Sequence, residues 1–195
     1  MNRHLVVFVR EPRIGRVKSR LARDIGCVGA WAFYRRTLAG VLRRLGGDGR
    51  WQTWLAVTPD CGDDASWPRT WRVIGQGRGD LGRRMDRAMR VLPPGPAVIV
   101  GTDIPDLCAA HVARGFRALG DHDAVFGPAA DGGYWLVGLR RSPRVPEAFT
   151  GVRWSSQHAL ADTLANLAGL EVAFLETLDD VDDSAALARW RQGQR

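Results

Sequence analysis

His4-Leu5-Val6-Val7-Phe8-Val9, followed at once by Arg10-Glu11-Pro12-Arg13-Ile14-Gly15-Arg16-Val17-Lys18-Ser19-Arg20, decides how the chain is read. A continuous apolar run rich in β-branched residues is the pattern of a strand covered on both faces of a parallel sheet. After the basic loop, residues 29–45 repeat apolar side chains at helical spacing (Trp31, Tyr34, Leu38, Val41, Leu42, Leu45) and stop at Gly46-Gly47. Strand, loop, helix opens an α/β unit. The alternation continues with strands at 51–58 and 70–74, then a helix at 81–92 closed by Pro93-Pro94-Gly95-Pro96. The clearest buried strand, AVIVG, lies at 97–101. A helix starting at Pro105 and running to about residue 119 comes next. Strands at 123–126 and 134–139 flank an Asp-Gly-Gly turn, and a helix at 156–167, a strand at 170–175 and a helix at 184–190 complete the pattern. This predicts a three-layer α/β/α domain spanning residues 1–195 with a mainly parallel sheet. The strand at 134–139 follows its predecessor too closely for a helical crossover, so at least one strand is antiparallel.

The formal charge of +7 is unevenly spread. Residues 1–50 carry twelve basic side chains against Glu11, Asp24 and Asp48, whereas residues 176–183 carry five acids and no base. A basic face beside an acidic corner suits a small polyanion such as a nucleotide, although nucleic acid or an anionic membrane draws on the same charge. Cys27, Cys61 and Cys108 are an odd set without a CxxC pair, which fits reduced structural thiols rather than a disulfide framework. The start, Met-Asn-Arg-His with a short apolar run, is too short for a signal peptide or spanning helix, and a soluble cytoplasmic protein is expected.

Four polar segments follow strands, where α/β folds build their sites. The first is the basic loop. Of 28 basic side chains Lys18 is the only lysine, a compact point charge among planar guanidinium forks. The loop lacks the contiguous Gly-Lys-Ser of a P-loop, so a Walker-type NTPase is not indicated. The second is Gly101-Thr102-Asp103-Ile104-Pro105-Asp106, in which Asp103 is placed to hold Mg²⁺ against a phosphate and Asp106 to cap the next helix. The third is Asp179-Asp180-Val181-Asp182-Asp183, whose adjacent acids need a cation or an arginine beside them. Asp183 reads as a helix cap; a metal contact for one of the others is one reading and a solvated acidic turn the alternative. The fourth, Gly127-Pro128-Ala129-Ala130-Asp131-Gly132-Gly133-Tyr134-Trp135, offers aromatics either to a sugar or to the core. A competing pattern, Gly77-Arg78-Gly79-Asp80-Leu81-Gly82, matches a dinucleotide fingerprint, but Asp80 would put a negative charge into a pyrophosphate loop.

Together these segments resemble the nucleotide-diphospho-sugar transferase superfamily with the GT-A fold. The likeness is closest to a bacterial family described as glycosyltransferase-like (DUF2064). It rests on Arg10-Glu11-Pro12 with Gly15-Arg16-Val17-Lys18-Ser19-Arg20-Leu21, and on Gln76-Gly77 with Gly79-Asp80-Leu81-Gly82 and Arg84-Met85. Further along it rests on Gly101-Thr102-Asp103-Ile104-Pro105, Gly127-Pro128 with Asp131-Gly132-Gly133-Tyr134, Trp154-Ser155, and Asp180-Val181-Asp182. The basic segment is also similar to that of 2-phospho-L-lactate guanylyltransferase. The resemblance implies that Lys18, Arg10 and Arg20 bind nucleotide phosphates, that Gln76 with Gly79, Asp80 and Gly82 contacts the base, and that Asp103 is the principal metal carboxylate. It implies Asp182 as a second metal carboxylate, and Asp131, Gly132, Gly133, Tyr134 and Trp154 facing the acceptor or sugar. In sugar-acid cytidylyltransferases a Val-Asp-Thr-Pro-Glu-Asp run stands at this place; here Val181-Asp182-Asp183-Ser184-Ala185-Ala186 lacks its later acids.

The activity expected from this resemblance is Mg²⁺- or Mn²⁺-dependent nucleotidyl transfer from a nucleoside triphosphate to a small phosphate- or carboxylate-bearing acceptor. Lys18 and Asp103 would carry the catalysis. Glycosyl transfer from a nucleotide sugar is the alternative, with Asp131 as base. Nucleic acid and membrane are not expected as partners: the eight tryptophans are spread along the chain rather than interleaved with bases on one strand face.

Overall fold

A computed structural model describes residues 2–60 and 67–193; Cys61 lies outside them. In chain order the elements are β1 (His4–Arg10), α1 (Ser19–Leu45), β2 (Gln52–Thr58), β3 (Arg72–Gly75), α2 (Leu81–Val91) and β4 (Ala97–Val100). They continue with α3 (Ala109–Ala118), β5 (Ala124–Pro128), β6 (Tyr134–Leu139), α4 (Ala159–Ala165), β7 (Val172–Phe174) and α5 (Ser184–Gly193). The seven strands form one sheet in the order β3-β2-β1-β4-β6-β5-β7. β6 alone is antiparallel, to both β4 and β5, so the sheet is mixed as the short 123–139 connection requires.

β1 shows why the layers form. Leu5, Val7 and Val9 pack on one face with Tyr34, Leu38 and Leu42 of α1 and with Val112 and Phe116 of α3. Val6 and Phe8 pack on the other with Met85 and Met89 of α2 and with Leu160 and Leu164 of α4. Both faces of the strand are therefore covered, and its unbroken apolar run follows. A third cluster joins α5 to the start of α1 through Leu21, Phe33, Val181 and Leu187. His4 is fully buried, with Nδ1 accepting from Trp54 Nε1 at 3.3 Å and Nε2 3.4 Å from Pro94 O, a satisfied core histidine whose pKa burial lowers. No described helix is long and apolar enough to cross a membrane.

Several expectations change. α1 begins at Ser19 rather than near residue 29, because two helical segments join across Gly26, which holds φ +76°. The first segment buries little beyond Leu21, so apolar spacing gave no warning of it. α3 begins at Ala109, not Pro105, and Asp106 does not cap it. The segment between stays irregular because Arg44 reaches across to the carbonyls of Pro105 and Leu107. Cys108 occupies the cap position with its backbone N–H donating to His111 Nδ1 at 3.1 Å, and Asp106 instead accepts from Trp190 Nε1 at 2.8 Å. Asp183 does cap α5, accepting from Ala186 N at 2.8 Å. Arg35, Arg36 and Arg43 lie exposed on α1 as a solvated face should, and Arg44 is the exception.

The topology positions the site. From β1 the chain moves outward to β2 and β3 on one side and to β4 on the other, which opens a crevice at the carboxyl ends of β1 and β4. Because β6 runs backwards, its amino end, Tyr134, reaches the same edge. The sheet is tight here: Gly138 of β6 sits between Val98 and Val125, and a Cβ there would lie 2.7 Å from Val125 Cγ1 and 3.0 Å from Val98 Cγ2. Gly138→Ala is expected to cost about 1–3 kcal/mol through overpacking. Chemical denaturation reads this as a lower midpoint, and an unchanged midpoint would contradict the packing described.

Candidate active site

Three segments distant in sequence converge on one cation. Lys18 Nζ stands 2.6 Å from Asp103 Oδ1, 2.7 Å from Asp182 Oδ1 and 2.8 Å from Val181 O. Lys18 ends the basic loop after β1, Asp103 follows β4, and Asp182 lies between β7 and α5. A backbone bond from Val181 N to Asp103 O, 3.0 Å, holds the last two segments together. Lys18 also carries φ +49°, a left-handed conformation that costs a non-glycine residue about 1–3 kcal/mol. Only its surroundings can hold it there, and such outliers collect at functional sites.

Two clefts meet at these carboxylates. One, of about 570 Å³, is cationic and lined by Arg10, Arg16, Lys18, Arg20, Gln76 and Arg84. The other, of about 330 Å³, is lined by Asp131, Gly133, Tyr134, Trp154, Ser156 and Asp180. Leu81, Asp103, Ser155 and Asp182 line both. Among the described residues no group of three or more acid, histidine or cysteine side chains could hold a metal ion alone. Asp103 and Asp182 still fit Mg²⁺, which takes one or two carboxylates and fills its other positions with water and substrate oxygens.

The floor of the cationic cleft is tied to the sheet. Gln76 is buried, and its Nε2 donates both hydrogens to the sheet, to Ala56 O at 2.8 Å and Val9 O at 3.1 Å. That leaves Oε1 turned towards Arg84 Nη1 at 3.5 Å. The Tyr34 hydroxyl accepts from Arg10 N at 3.0 Å and donates to Arg10 O at 2.9 Å, fixing the point where β1 becomes the basic loop. Apolar spacing assigned Tyr34 to the core, which hides this role. Arg84 and Asp180 were also missed as site residues, although both stand in the motifs that carried the resemblance.

Of the residues singled out in the sequence, Lys18, Arg10, Arg20, Gln76, Asp103, Asp182, Asp131, Gly133, Tyr134 and Trp154 line one cleft or the other. Gly79, Asp80, Gly82 and Gly132 do not. Asp80 caps α2, accepting from Arg83 N at 2.8 Å. Gly82 makes room for Trp154, since a Cβ there would lie 2.9 Å from Trp154 Nε1, and Gly132 makes room for the backbone of Gln157. These positions shape the walls rather than touch the space. The fourth segment divides its aromatics: Trp135 enters the core and donates to Glu176 O at 3.1 Å, whereas Tyr134 packs edge-on against Phe126 and Trp154 beside the cleft. Burial pushes the Tyr134 phenol up, so it stays neutral.

Charge is finely divided among the acids. Burial alone would lower Lys18, but Asp103 and Asp182 outweigh it and hold the ammonium above its usual pKa. Burial alone would raise Asp182, and Lys18 outweighs it in turn, keeping this carboxylate below its usual range. For Asp180 the pull of Lys18 is the weakest influence. Burial first, then the charges of Asp182 and Asp131, push it up to about 6. Between the ordinary value of 3.8 and about 6 the folded protein therefore holds a proton that the unfolded chain has lost, and this group's contribution to stability falls as pH rises. Asp180→Asn is expected to melt higher than the parent at pH 7, with the difference closing towards pH 4. Equal melting temperatures at pH 7 would refute that account of Asp180.

Comparison with known proteins places the fold. A crystal structure of a protein from Desulfovibrio desulfuricans G20, provisionally described as a nucleotide-diphospho-sugar transferase, is 30% identical with a TM-score of 0.92, over 100% of this chain and 89% of that one. CMP:2-keto-3-deoxy-manno-octonic acid synthetase complexed with CTP is 14% identical with a TM-score of 0.58, over 100% and 98%. Rv0371c from Mycobacterium tuberculosis H37Rv in complex with manganese is 22% identical with a TM-score of 0.52, over 96% of each chain. The latter two share the fold, and no curated protein matches the chain in sequence. The fold is that of the nucleotide-diphospho-sugar transferases. A family profile described as an uncharacterized protein conserved in bacteria (DUF2064) matches residues 41–156, more than half of the chain, and this protein belongs to that family.

Proposed function

We propose that this protein is a nucleotidyltransferase, moving a nucleotide from a nucleoside triphosphate onto a small acceptor that carries a phosphate or carboxylate, with release of pyrophosphate. The observation that carries this reading is the meeting of an arginine-lined cleft and an aromatic cleft at Asp103 and Asp182. The first suits a triphosphate and the second, aromatic and acidic, the neutral body of an acceptor, whose ionised group would lie with the α-phosphorus beside the metal where the two join. The acceptor's oxygen attacks that phosphorus in line, the bond from it to the bridging oxygen breaks, and the electron pair leaves with pyrophosphate. A phosphate or carboxylate acceptor is already ionised near neutral pH and needs no base. Arg10, Arg16 and Arg20 supply positive charge where pyrophosphate charge develops. Asp103 and Asp182 would hold Mg²⁺ or Mn²⁺, which supplies Lewis-acid polarisation of phosphoryl oxygens. The CTP complex of the synthetase and the manganese complex of the mycobacterial protein support both ligands.

Glycosyl transfer is the second reading, favoured by the aromatic wall of Tyr134 and Trp154 and by Asp131 beside it, a candidate base for a sugar hydroxyl. The description of the Desulfovibrio protein points the same way.

A thermal-shift panel separates the readings. A ligand at one hundred times its dissociation constant adds about 2.7 kcal/mol of stability. Stabilisation by a triphosphate with Mg²⁺, together with pyrophosphate release when acceptors are supplied, is the expected result; stabilisation by a nucleotide sugar alone would favour glycosyl transfer. Asp103→Asn is expected to abolish the Mg²⁺-dependent part of the shift while melting cooperatively without ligand. Unchanged Mg²⁺-dependent affinity in that variant would overturn the site.

A further inference from the structure

The one lysine of the chain stands where the proposed metal is wanted. An ammonium has three donors; Lys18 donates to Asp182 Oδ1 and Val181 O at 2.7 and 2.8 Å and stands 2.6 Å from Asp103 Oδ1 as an ion pair. Three protein oxygens, not a phosphate, surround the ammonium, although Lys18 borders the cationic cleft. The same bonds occupy one oxygen on each carboxylate proposed to hold the metal. The Lys18 side chain is only 4% exposed, so water screens its charge poorly, whereas Asp103 and Asp182 are 49% and 43% exposed and open to the clefts. Two carboxylates balance one such cation well, and an ammonium together with a divalent ion poorly.

Resting on the nucleotidyl-transfer reading of this site, we propose that Lys18 is a built-in counter-ion that competes with the divalent cation for Asp103 and Asp182. Nucleotide phosphates admit the metal by drawing the ammonium out of the pair. Metal and nucleotide then bind with positive coupling, and by linkage each raises the affinity of the other by the same factor. The proposal also accounts for a lysine where all 27 other basic side chains are arginine. A compact ammonium fits between two carboxylates and can pass to a phosphate by rotating its flexible stem. A guanidinium fork would clasp one carboxylate side-on and leave the other unpaired.

Because Lys18 is the only lysine, protein made with isotope-labelled lysine gives a single side-chain resonance, and wild-type protein can be titrated with Mg²⁺ in the absence of nucleotide. The expected result is that the resonance moves from a position typical of a buried, hydrogen-bonded ammonium to that of a free one as Mg²⁺ saturates. Saturation by Mg²⁺ with the resonance unmoved would show both cations bound together and overturn the proposal. In parallel, Mn²⁺ binding without nucleotide is measured for wild type and Lys18→Met from the paramagnetic resonance of free Mn²⁺. Lys18→Met is expected to bind roughly tenfold tighter or better, within the usual range of coupling between sites; equal or weaker binding overturns the proposal. Neither measurement contains nucleotide, so a failure of the nucleotidyl-transfer reading registers separately, as the absence of any thermal shift with triphosphates.

Discussion

Two carboxylates brought to one point need a cation between them. Asp103 and Asp182 meet because β4 and the segment before α5 end at the same edge of the sheet, joined by the Val181 to Asp103 backbone bond. Unneutralised, the pair would repel in partly buried surroundings. Lys18 answers that need at the cost of a left-handed backbone, and in doing so ties the basic loop to the acidic corner. The end of the basic loop and the acidic corner, far apart in the chain, are therefore one local arrangement in space.

Around that centre the glycines and aromatics set the walls. Gly82 lets Trp154 lie against α2, Gly127 lets Trp135 enter the core, and Gly132 lets the turn after β5 approach the backbone of Gln157. Each is a steric concession to a neighbour. Together they bring the 127–135 and 154–159 segments close enough to form the second cleft across Asp103 and Asp182. The result is two pockets of opposite character sharing a carboxylate rim, an arrangement suited to bringing a polyanion and an acceptor together.

Strand pattern was highly legible because burial on both faces leaves an unmistakable apolar run, as in β1 and β4. Helix starts were less so. The first turns of α1 bury little, and Gly26 breaks their periodicity, while α3 starts late because Arg44 holds the preceding carbonyls. Within the site, residues that reach the clefts by their own charge, Lys18 and Asp103 among them, were found from position after a strand. Residues that act through a hydrogen bond to distant backbone, Tyr34 above all, looked like ordinary core. Gly79, Asp80 and Gly82 carried a strong local signal, yet a helix cap and a close contact with Trp154 account for two of them.

By itself the sequence determined the layered α/β plan, the antiparallel intruder and the polar segments that end its strands, because periodicity and connection length are local properties written directly in residue order. Only the tertiary structure decided that Lys18 contacts the two carboxylates rather than facing the cleft freely, that Asp106 serves Trp190 instead of a helix cap, and that Asp180 lies among other acids. These depend on distances between segments far apart in the chain, which fold topology sets and no local pattern records.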